Sequence, residues 1–471
     1  RSIAIYSIVI GGYVVKFEYL TKVKAPQESV FSWFERRGSF RRLMPPWELA
    51  EEIQADETLQ DGSKRIFRFP MGPLKMTWMA EHTGYEPPTK FEDIMKKGPF
   101  HSWHHIHRFE HDNGLTTVHD EIEYRLPLGP LGRLFGSRMV RKRLQRMFRA
   151  RELRLIRDMQ RHTEFSHLPR KKILIAGSSG LIGTQLVAFL DTGGHDVWRL
   201  VRREIKEGRN EIRWDPANGT IDPSTIEGFD IVIHLGGAGI GDRRWTKKRK
   251  ELIVESRRSS TTLLAETLSS LKSKPDAFIV ASAIGYYGDR GDEILTEESS
   301  SGEGFLTETV LDWESYADPA RAAGIRVVNL RNGIVLSATG GALARMLLPW
   351  KMGGGGPIGN GKQWMSWISM DDEVYAIHHL AMTESAEGPF NLTAPNPTRQ
   401  KAFAKTLGRV LWRPAFAPIP KFTMRILFGE LAGPLLFEGQ HVLPNRLQEL
   451  GYKFEHEALE TALRDSLGLW K

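Results

Sequence analysis

The chain has 471 residues, of which 41% are hydrophobic and 26% charged. That balance excludes a disordered chain, and the length predicts two or three domains, each with its own core. Cysteine is absent, which excludes disulfides and thiolate chemistry and suits a cytoplasmic setting; the net charge of +8 is modest, with the basic residues concentrated in one segment.

The run 3–15 is apolar but broken by Gly11-Gly12. It is too short to span a bilayer and no small-residue cleavage site follows it, so a buried first strand with a ragged extension over 1–14 is expected, and no transmembrane segment. Strand patterns follow at 15–24, 65–69, 75–85, 90–96, 103–111 and 116–126, separated by the turn signals Asp61-Gly62, Met71-Gly72-Pro73, Pro87-Pro88 and Asn113-Gly114. A long helix over 131–161 closes the segment, with Leu134, Met139, Leu144, Met147, Phe148, Leu153 and Ile156 at helical spacing.

That helix carries Arg138, Arg141, Lys142, Arg143, Arg146, Arg149, Arg151, Arg154, Arg157 and Arg161 against only Glu152 and Asp158. An anionic partner is one reading. No nucleic-acid module accompanies the run, so a solvated face balanced by acids elsewhere is expected, and nucleic acid is not an expected partner. His101, His104, His105 and His107 crowd one strand, where His101, His105 and His107 share a face with Trp103 and Phe109. No carboxylate or thiolate with metal-ligand spacing accompanies them, so no metal is expected.

The order of strands and closing helix, with Ala25-Pro26, Val30-Phe31, Asp120 and Tyr124-Arg125-Leu126-Pro127, resembles the SRPBCC, or START-like, superfamily that includes polyketide cyclase-like proteins. The resemblance implies an α+β helix-grip domain over 15–163 with a cavity for an apolar ligand. Trp33, Phe34, Trp47, Phe69, Trp78 and Trp103 either line that cavity or pack the core; core packing is the simpler expectation for any single one.

A linker over 164–170 ends in His167-Leu168-Pro169-Arg170. Strand patterns at 173–176, 197–201, 231–235, 277–281 and 327–330 then alternate with helices, which predicts an α/β, doubly wound parallel sheet of the NAD(P)-binding Rossmann type. Gly177-Ser178-Ser179-Gly180-Leu181-Ile182-Gly183 lies between the first strand and a helix reaching about residue 190, the context in which glycines and a helix N-terminus take a pyrophosphate. The second strand is followed by Arg202-Arg203 rather than an acid. A guanidinium fork suits a 2′-phosphate, so NADP (NADPH) is the expected cofactor, with Glu204 the one residue favouring NAD.

From here the chain resembles atypical extended short-chain dehydrogenases/reductases of the NAD-dependent epimerase/dehydratase type. The motifs that carry the resemblance include His234 through Ile240, Arg244-Trp245, Ser256-Arg257, Ser282 through Gly288, Leu330 through Leu336, Gly355 through Gly359, Trp367-Ile368-Ser369 with Asp371-Asp372, and Val442-Leu443-Pro444. It covers about 171–470 and implies a cofactor domain over 171–410 and a small C-terminal domain over 411–471. It further implies that Gly177, Gly180 and Gly183 cradle the pyrophosphate and Arg202 the 2′-phosphate, that Leu235 and Gly236 border the adenosine side, and that Gly237 belongs to the cofactor site. Arg257 lies near the cofactor, Val335 walls the nicotinamide end, and Ser282 sits where the strand-end hydroxyl belongs, unless the register counted back from Tyr287-Gly288 places Ala283, which has none, there.

Redox members of that superfamily use Tyr-x-x-x-Lys, in which lysine lowers the phenol pKa. The sequence contains no such pair; Leu306 and Val310 take the two positions if Glu314 is the acid that follows the motif. Tyr286 and Tyr287 either replace the phenol or pack the pocket wall. Gly353 through Gly356, with Gln363 and Trp364, either form a mobile cap over a polar ligand or a tight crossing. The sequence thus points to an NADP-binding epimerase- or reductase-like protein acting on a small-molecule substrate, with a fused apolar-ligand domain. A non-catalytic NADP-responsive protein and an apolar-ligand carrier are the alternatives.

Overall fold

The computed structural model describes residues 14–71, 74–127 and 129–470. The expectations for residues 1–13, for the turn at Gly72-Pro73 and for Leu134 in the helix stripe lie outside what is described. The chain forms two compact units, one of residues up to Pro169 with Ala188–Gly194 and one of Arg170–Val187 with His195–Lys471. Among the described residues no helix is long and apolar enough to cross a membrane.

The first unit runs β1 (Val15–Val23), α1 (Gln27–Glu35), α2 (Ser39–Leu43), β2 (Glu51–Ala55), β3 (Lys64–Met71), β4 (Leu74–Glu86), β5 (Lys90–Lys97), β6 (Ser102–Asp112), β7 (Leu115–Arg125) and α3 (Gly129–Glu164). Its seven strands make one antiparallel sheet in the order β1-β7-β6-β5-β4-β3-β2. Period-two alternation sets the buried face: Trp103, His105, His107 and Phe109 point inward from β6, and Val118, Asp120, Ile122 and Tyr124 from β7. From α3, Leu144, Phe148, Leu155 and Met159 are buried, the stripe of a helix gripped along one side.

The basic residues of α3 divide: Arg138, Arg141, Lys142, Arg143 and Arg149 are exposed, as a solvated face expects, while others turn inward. Asp158 takes the Arg42 fork at 2.8 and 2.5 Å with both side chains fully buried, and Glu152 accepts the Tyr19 hydroxyl at 2.5 Å. Arg161 is buried and 3.2 Å from Glu164. Arg143 pairs with Glu48, and Arg146 lies over the Trp47 ring at 4.6 Å. These residues are woven into the fold.

The second unit begins with β8 (Lys172–Ala176), α4 (Leu181–Thr192), β9 (Asp196–Val201), β10 (Glu211–Arg213), β11 (Ile231–His234), α5 (Lys247–Ser270), β12 (Ala277–Ala283), β13 (Ile294–Leu295), α6 (Phe305–Ser315), α7 (Asp318–Ala322), β14 (Arg326–Asn332) and β15 (Ile334–Leu336). It continues with α8 (Gly341–Lys351), β16 (Trp364–Met365), β17 (Trp367–Ser369), α9 (Met370–Met382), β18 (Gly388–Leu392), β19 (Thr398–Arg399), α10 (Gln400–Leu411), α11 (Lys421–Phe428), β20 (His441–Val442), α12 (Asn445–Glu449) and α13 (Leu459–Leu467). Seven strands form a parallel sheet in the order β10-β9-β8-β11-β12-β14-β18. Its central strands are unbroken apolar runs, as Ile173-Leu174-Ile175-Ala176 and Ala277-Phe278-Ile279-Val280, all fully buried, because both faces are covered. Chain order reverses at β8 and β11, and in such sheets ligands sit beyond the strand ends at that point.

Candidate functional site

The loop from β8 to α4 occupies the switch point. Gly177 has φ +81°, and a Cβ there would lie 2.7 Å from both Leu235 C and Gly236 N. A Cβ on Gly183 would overlap Gly177 O. Both positions therefore admit only glycine, and the loop closes against the segment that follows β11. Gly180 N donates to Gly177 O at 3.0 Å, while Ser179 and Gly180 stay exposed at the tip and Ser178 is buried. Leu181 and Ile182, half-buried, open the twelve-residue α4. A Cβ on Gly341 would fall 3.4 Å from Leu181 and 3.6 Å from Val335 O, so the first turn of α4 and Val335 belong to one locale.

Beyond β9 the two arginines part company. Arg203 gives Nη1 and Nη2 to Glu211 at 2.9 and 2.6 Å, and Glu204 pairs with Arg213 at 2.7 Å. Arg202 is exposed and has no ion-pair or hydrogen-bond partner among the described residues. On the β11 side, Arg257 is buried and donates Nη1 to Ile253 O at 2.9 Å and Ala238 O at 3.1 Å, with its Nε unpartnered. Its guanidinium covers the Trp313 ring at 4.5 Å, and burial, aided by Arg249, pushes its pKa down to about 10. Beside it His234, held at 2.9 Å from Ser260 Oγ, is pushed down to about 3 by burial and then Arg257; it is neutral at ordinary pH.

The hydroxyls after β12 enter a closed network. Ser282 Oγ donates to Glu314 Oε1 at 2.6 Å. Arg331, its register neighbour on β14, holds the same carboxylate through Nε and Nη2, both at 2.9 Å. Arg331 Nη1 also donates to the Tyr287 hydroxyl at 3.0 Å, which donates in turn to Asn391 Oδ1 at 2.7 Å. Tyr287 is fully buried, and burial pushes its pKa up to about 12, so it is interior structure rather than pocket surface. Tyr286 is half-buried with the Arg331 guanidinium 3.4 Å from its ring centre.

Gln363 and Trp364 are equally committed. Gln363 Nε2 donates to Leu436 O at 2.7 Å, and Trp364 Nε1 to Asp292 at 3.1 Å. The Trp364 ring stacks on His441 at 3.8 Å and under Arg399 at 3.9 Å. A Cβ on Gly356 would overlap Ala417 O, so of the two readings of the glycine run the tight crossing accounts for this position.

Residues 173–392 match the NAD dependent epimerase/dehydratase family, 23–148 the polyketide cyclase / dehydrase and lipid transport family, and 419–466 a domain of unknown function. An epimerase family protein of Mycobacterium bovis is 39% identical over 291 residues, 62% of this chain and 96% of the relative. The chain belongs to the NAD-dependent epimerase/dehydratase family. A second epimerase family relative, from Staphylococcus aureus, is 37% identical over 297 residues, 63% of this chain and 98% of its own. Among solved structures, a nucleoside-diphosphate sugar epimerase from Corynebacterium glutamicum superposes with TM-score 0.77 and 33% identity, covering 95% of this chain and 90% of that one. Human epimerase family protein SDR39U1, solved with NADPH, gives TM-score 0.56 and 32% identity over 62% of this chain and 98% of its own.

In this epimerase-family chain Leu306 and Val310 lie side by side against Gly285, where a Cβ would be 3.4 Å from Leu306 and 3.9 Å from Val310. Two apolar side chains thus face the segment after β12. In the sequence Glu314 stands out only as the acid after the motif and Arg331 only within a longer one; the register of β12 with β14 sets Arg331 beside Ser282, invisible without the sheet.

The polyketide cyclase-like half encloses a cavity of about 630 Å³. Of the expected aromatics Phe34, Phe69, Trp78 and Trp103 line it; Trp33 packs in the core and Trp47 lies under Arg146. The histidines separate: His101 is exposed outside β6 and His104 turns to Glu92 at 2.7 Å. His105 and His107 are buried on the inner face, with Asp93 from β5 and Asp120 from β7 beside them. These carboxylates were missed in the sequence because they arrive across strands.

Proposed function

We propose that the C-terminal half binds NADP(H), grips the 2′-phosphate with Arg202, and serves oxidoreduction or epimerisation of a small-molecule substrate. The free Arg202 beyond β9 carries the reading, because both neighbours that compete with it, Arg203 and Glu204, already have partners. The cradle fits a pyrophosphate: Gly177 and Gly183 leave no room for a side chain, so backbone N–H groups and the N-terminus of α4 face the ligand. The bound nicotinamide supplies the hydride acceptor or donor. Leu235, Gly236 and Gly237 border the adenosine side, Arg257 adds a positive charge behind them, and Val335 walls the opposite end.

Proton handling departs from the Tyr-Lys pattern, since Leu306 and Val310 carry no titratable group. Ser282 is the strand-end hydroxyl, and its proton is held by Glu314 at 2.6 Å. Titration of the purified chain should show NADPH preferred to NADH by roughly 10- to 100-fold, the worth of a charge-assisted fork, and Arg202→Glu should erase the preference. Equal binding of both, or of neither, overturns it.

The apolar pair at Leu306 and Val310 favours a second reading, a non-catalytic NADP-responsive protein. Turnover on a panel of carbonyl compounds and sugar nucleotides rules that reading out. For the N-terminal half, the aromatic-lined cavity supports an apolar ligand; mass spectrometry of solvent extracts should release one, and repeatedly empty extracts count against it.

A further inference from the structure

The geometry points to a metal site in the wall of the N-terminal cavity, built by Asp93, His105 and His107 and taking one first-row divalent transition-metal ion. Strand register assembles it: Asp93 on β5 pairs with His105 on β6, and His107 on β6 pairs with Asp120 on β7. All four side chains project from the inner face, and the two imidazole rings stand 3.8 Å apart between the two carboxylates.

The carboxylates play different parts. His105 Nε2 is hydrogen-bonded to Asp120 Oδ1 at 3.0 Å, and His107 Nδ1 lies 2.7 Å from the same oxygen, off the line of a hydrogen bond. The opposite ring nitrogens turn to Asp93 Oδ2, His105 Nδ1 at 3.3 Å and His107 Nε2 at 3.7 Å. A neutral imidazole has a single N–H. With the His105 proton on Nε2 turned to Asp120, its Nδ1 presents a lone pair to Asp93 Oδ2, which is repulsive unless a second proton or a metal cation lies between them. A dication there replaces two imidazolium protons at equal charge. Asp120 then orients the His105 ring from behind, as outer carboxylates do for metal-bound histidines.

Distances agree with this assignment. One ligand atom from each of Asp93, His105 and His107 falls within 4.8 Å of the other two. At metal–ligand lengths of ~2.1 Å, separations of 3.3 and 3.7 Å subtend angles of about 105° and about 125°, on either side of tetrahedral. Two nitrogens and one oxygen select a transition metal over magnesium or calcium, which take oxygen. Asp93, His105 and His107 line the cavity whereas Asp120 does not. The remaining coordination positions therefore open on the cavity and take an oxygen donor of its occupant.

The tag-free full chain, stripped with chelator, is titrated with Zn²⁺ in competition with a chromophoric chelator. One equivalent should bind with Kd of ~1 μM or tighter. Asp93→Asn and His107→Ala should each weaken binding by about 100-fold or more, and Asp120→Asn by about 10- to 100-fold, with the NADPH titration unchanged. No Zn²⁺ uptake by the wild-type chain overturns the site, as does equal uptake by the variants. If the variants do not fold, X-ray absorption at the zinc edge of the wild-type protein decides: two imidazole ligands support the assignment, and one or none overturns it.

Discussion

In the nucleotide half, Ser282, Glu314, Arg331 and Tyr287 direct their hydrogen bonds at one another. In the N-terminal half, Asp93, His105 and His107 line a cavity, with ring nitrogens facing a carboxylate. Both groups are buried and both mix charges, yet the first is closed and the second open. A closed network fixes neighbouring strands and leaves ligand recognition to other groups, in the function proposed above the backbone of the glycine loop. An open one leaves side chains available for chemistry, and buried polar atoms left unmatched are costly enough that they mark a ligand site. Burial alone does not separate structure from function in this chain; the direction of the unmatched atoms does.

The largest expected effect tests whether a closed pair is purely structural. Asp158→Asn removes the charge that meets Arg42 where both side chains are fully buried, a change expected to cost about 3–5 kcal/mol. Hydrogen exchange should show protection falling across β1 to β7 while NADPH binding persists; loss of cofactor binding instead would break the separation of roles. Gly183→Ala is the converse, forcing a methyl into Gly177 O. NADPH affinity should drop by ~10- to 100-fold, about 1.4–2.7 kcal/mol, with the cavity half unaltered, and an unchanged Kd would refute the cradle.

The smallest effect is a slope. Burial, with Asp372 beside it, raises the Glu373 carboxyl to about 8. Against burial, hydrogen bonds to Asp372 and Asp465 raise His456 to about 9. In each case the folded state holds its proton longer than the unfolded one. Stability from Glu373 is therefore complete below its ordinary 4.5 and declines up to about 8; that from His456 declines between 6.5 and about 9. The resistance of the second unit to urea should weaken as pH rises from 6.5 to 8, by up to about 1.4 kcal/mol per pH unit for each group. Glu373→Gln should remove one of the two contributions, and an unaltered slope would assign the titration elsewhere.

What the sequence discloses follows the range of the interactions. The cradle is legible because Gly177 through Gly183 lie within one strand–helix turn. Strand β2 is not, since Glu51-Glu52-Ile53-Gln54-Ala55 has no apolar alternation on a largely exposed sheet edge. Strand β10 has only three residues, and β18 begins Gly-Pro, which reads as a turn. The histidine face of β6 is visible in period two. Asp93 and Asp120 are not, because strand register and no fixed spacing brings them to His105 and His107. The resemblance singles out Arg202 for the phosphate, but that Arg203 is taken by the Glu211 carboxylate of β10 is not visible in the sequence.

Leu306 and Val310 also bear on how far this chain stands from a Tyr-x-x-x-Lys arrangement. Leu306 is half-buried, so a phenol there has somewhere to go. Val310 is only 2% exposed and packed in the interior, where a lysine ammonium would lose its hydration and much of its basicity. Placing a Tyr-Lys pair here takes more than two codon changes: the packing around α6 would first have to yield a polar channel. The apolar pair is thus a commitment of the surrounding core, and a proton route at these positions would require rebuilding that core.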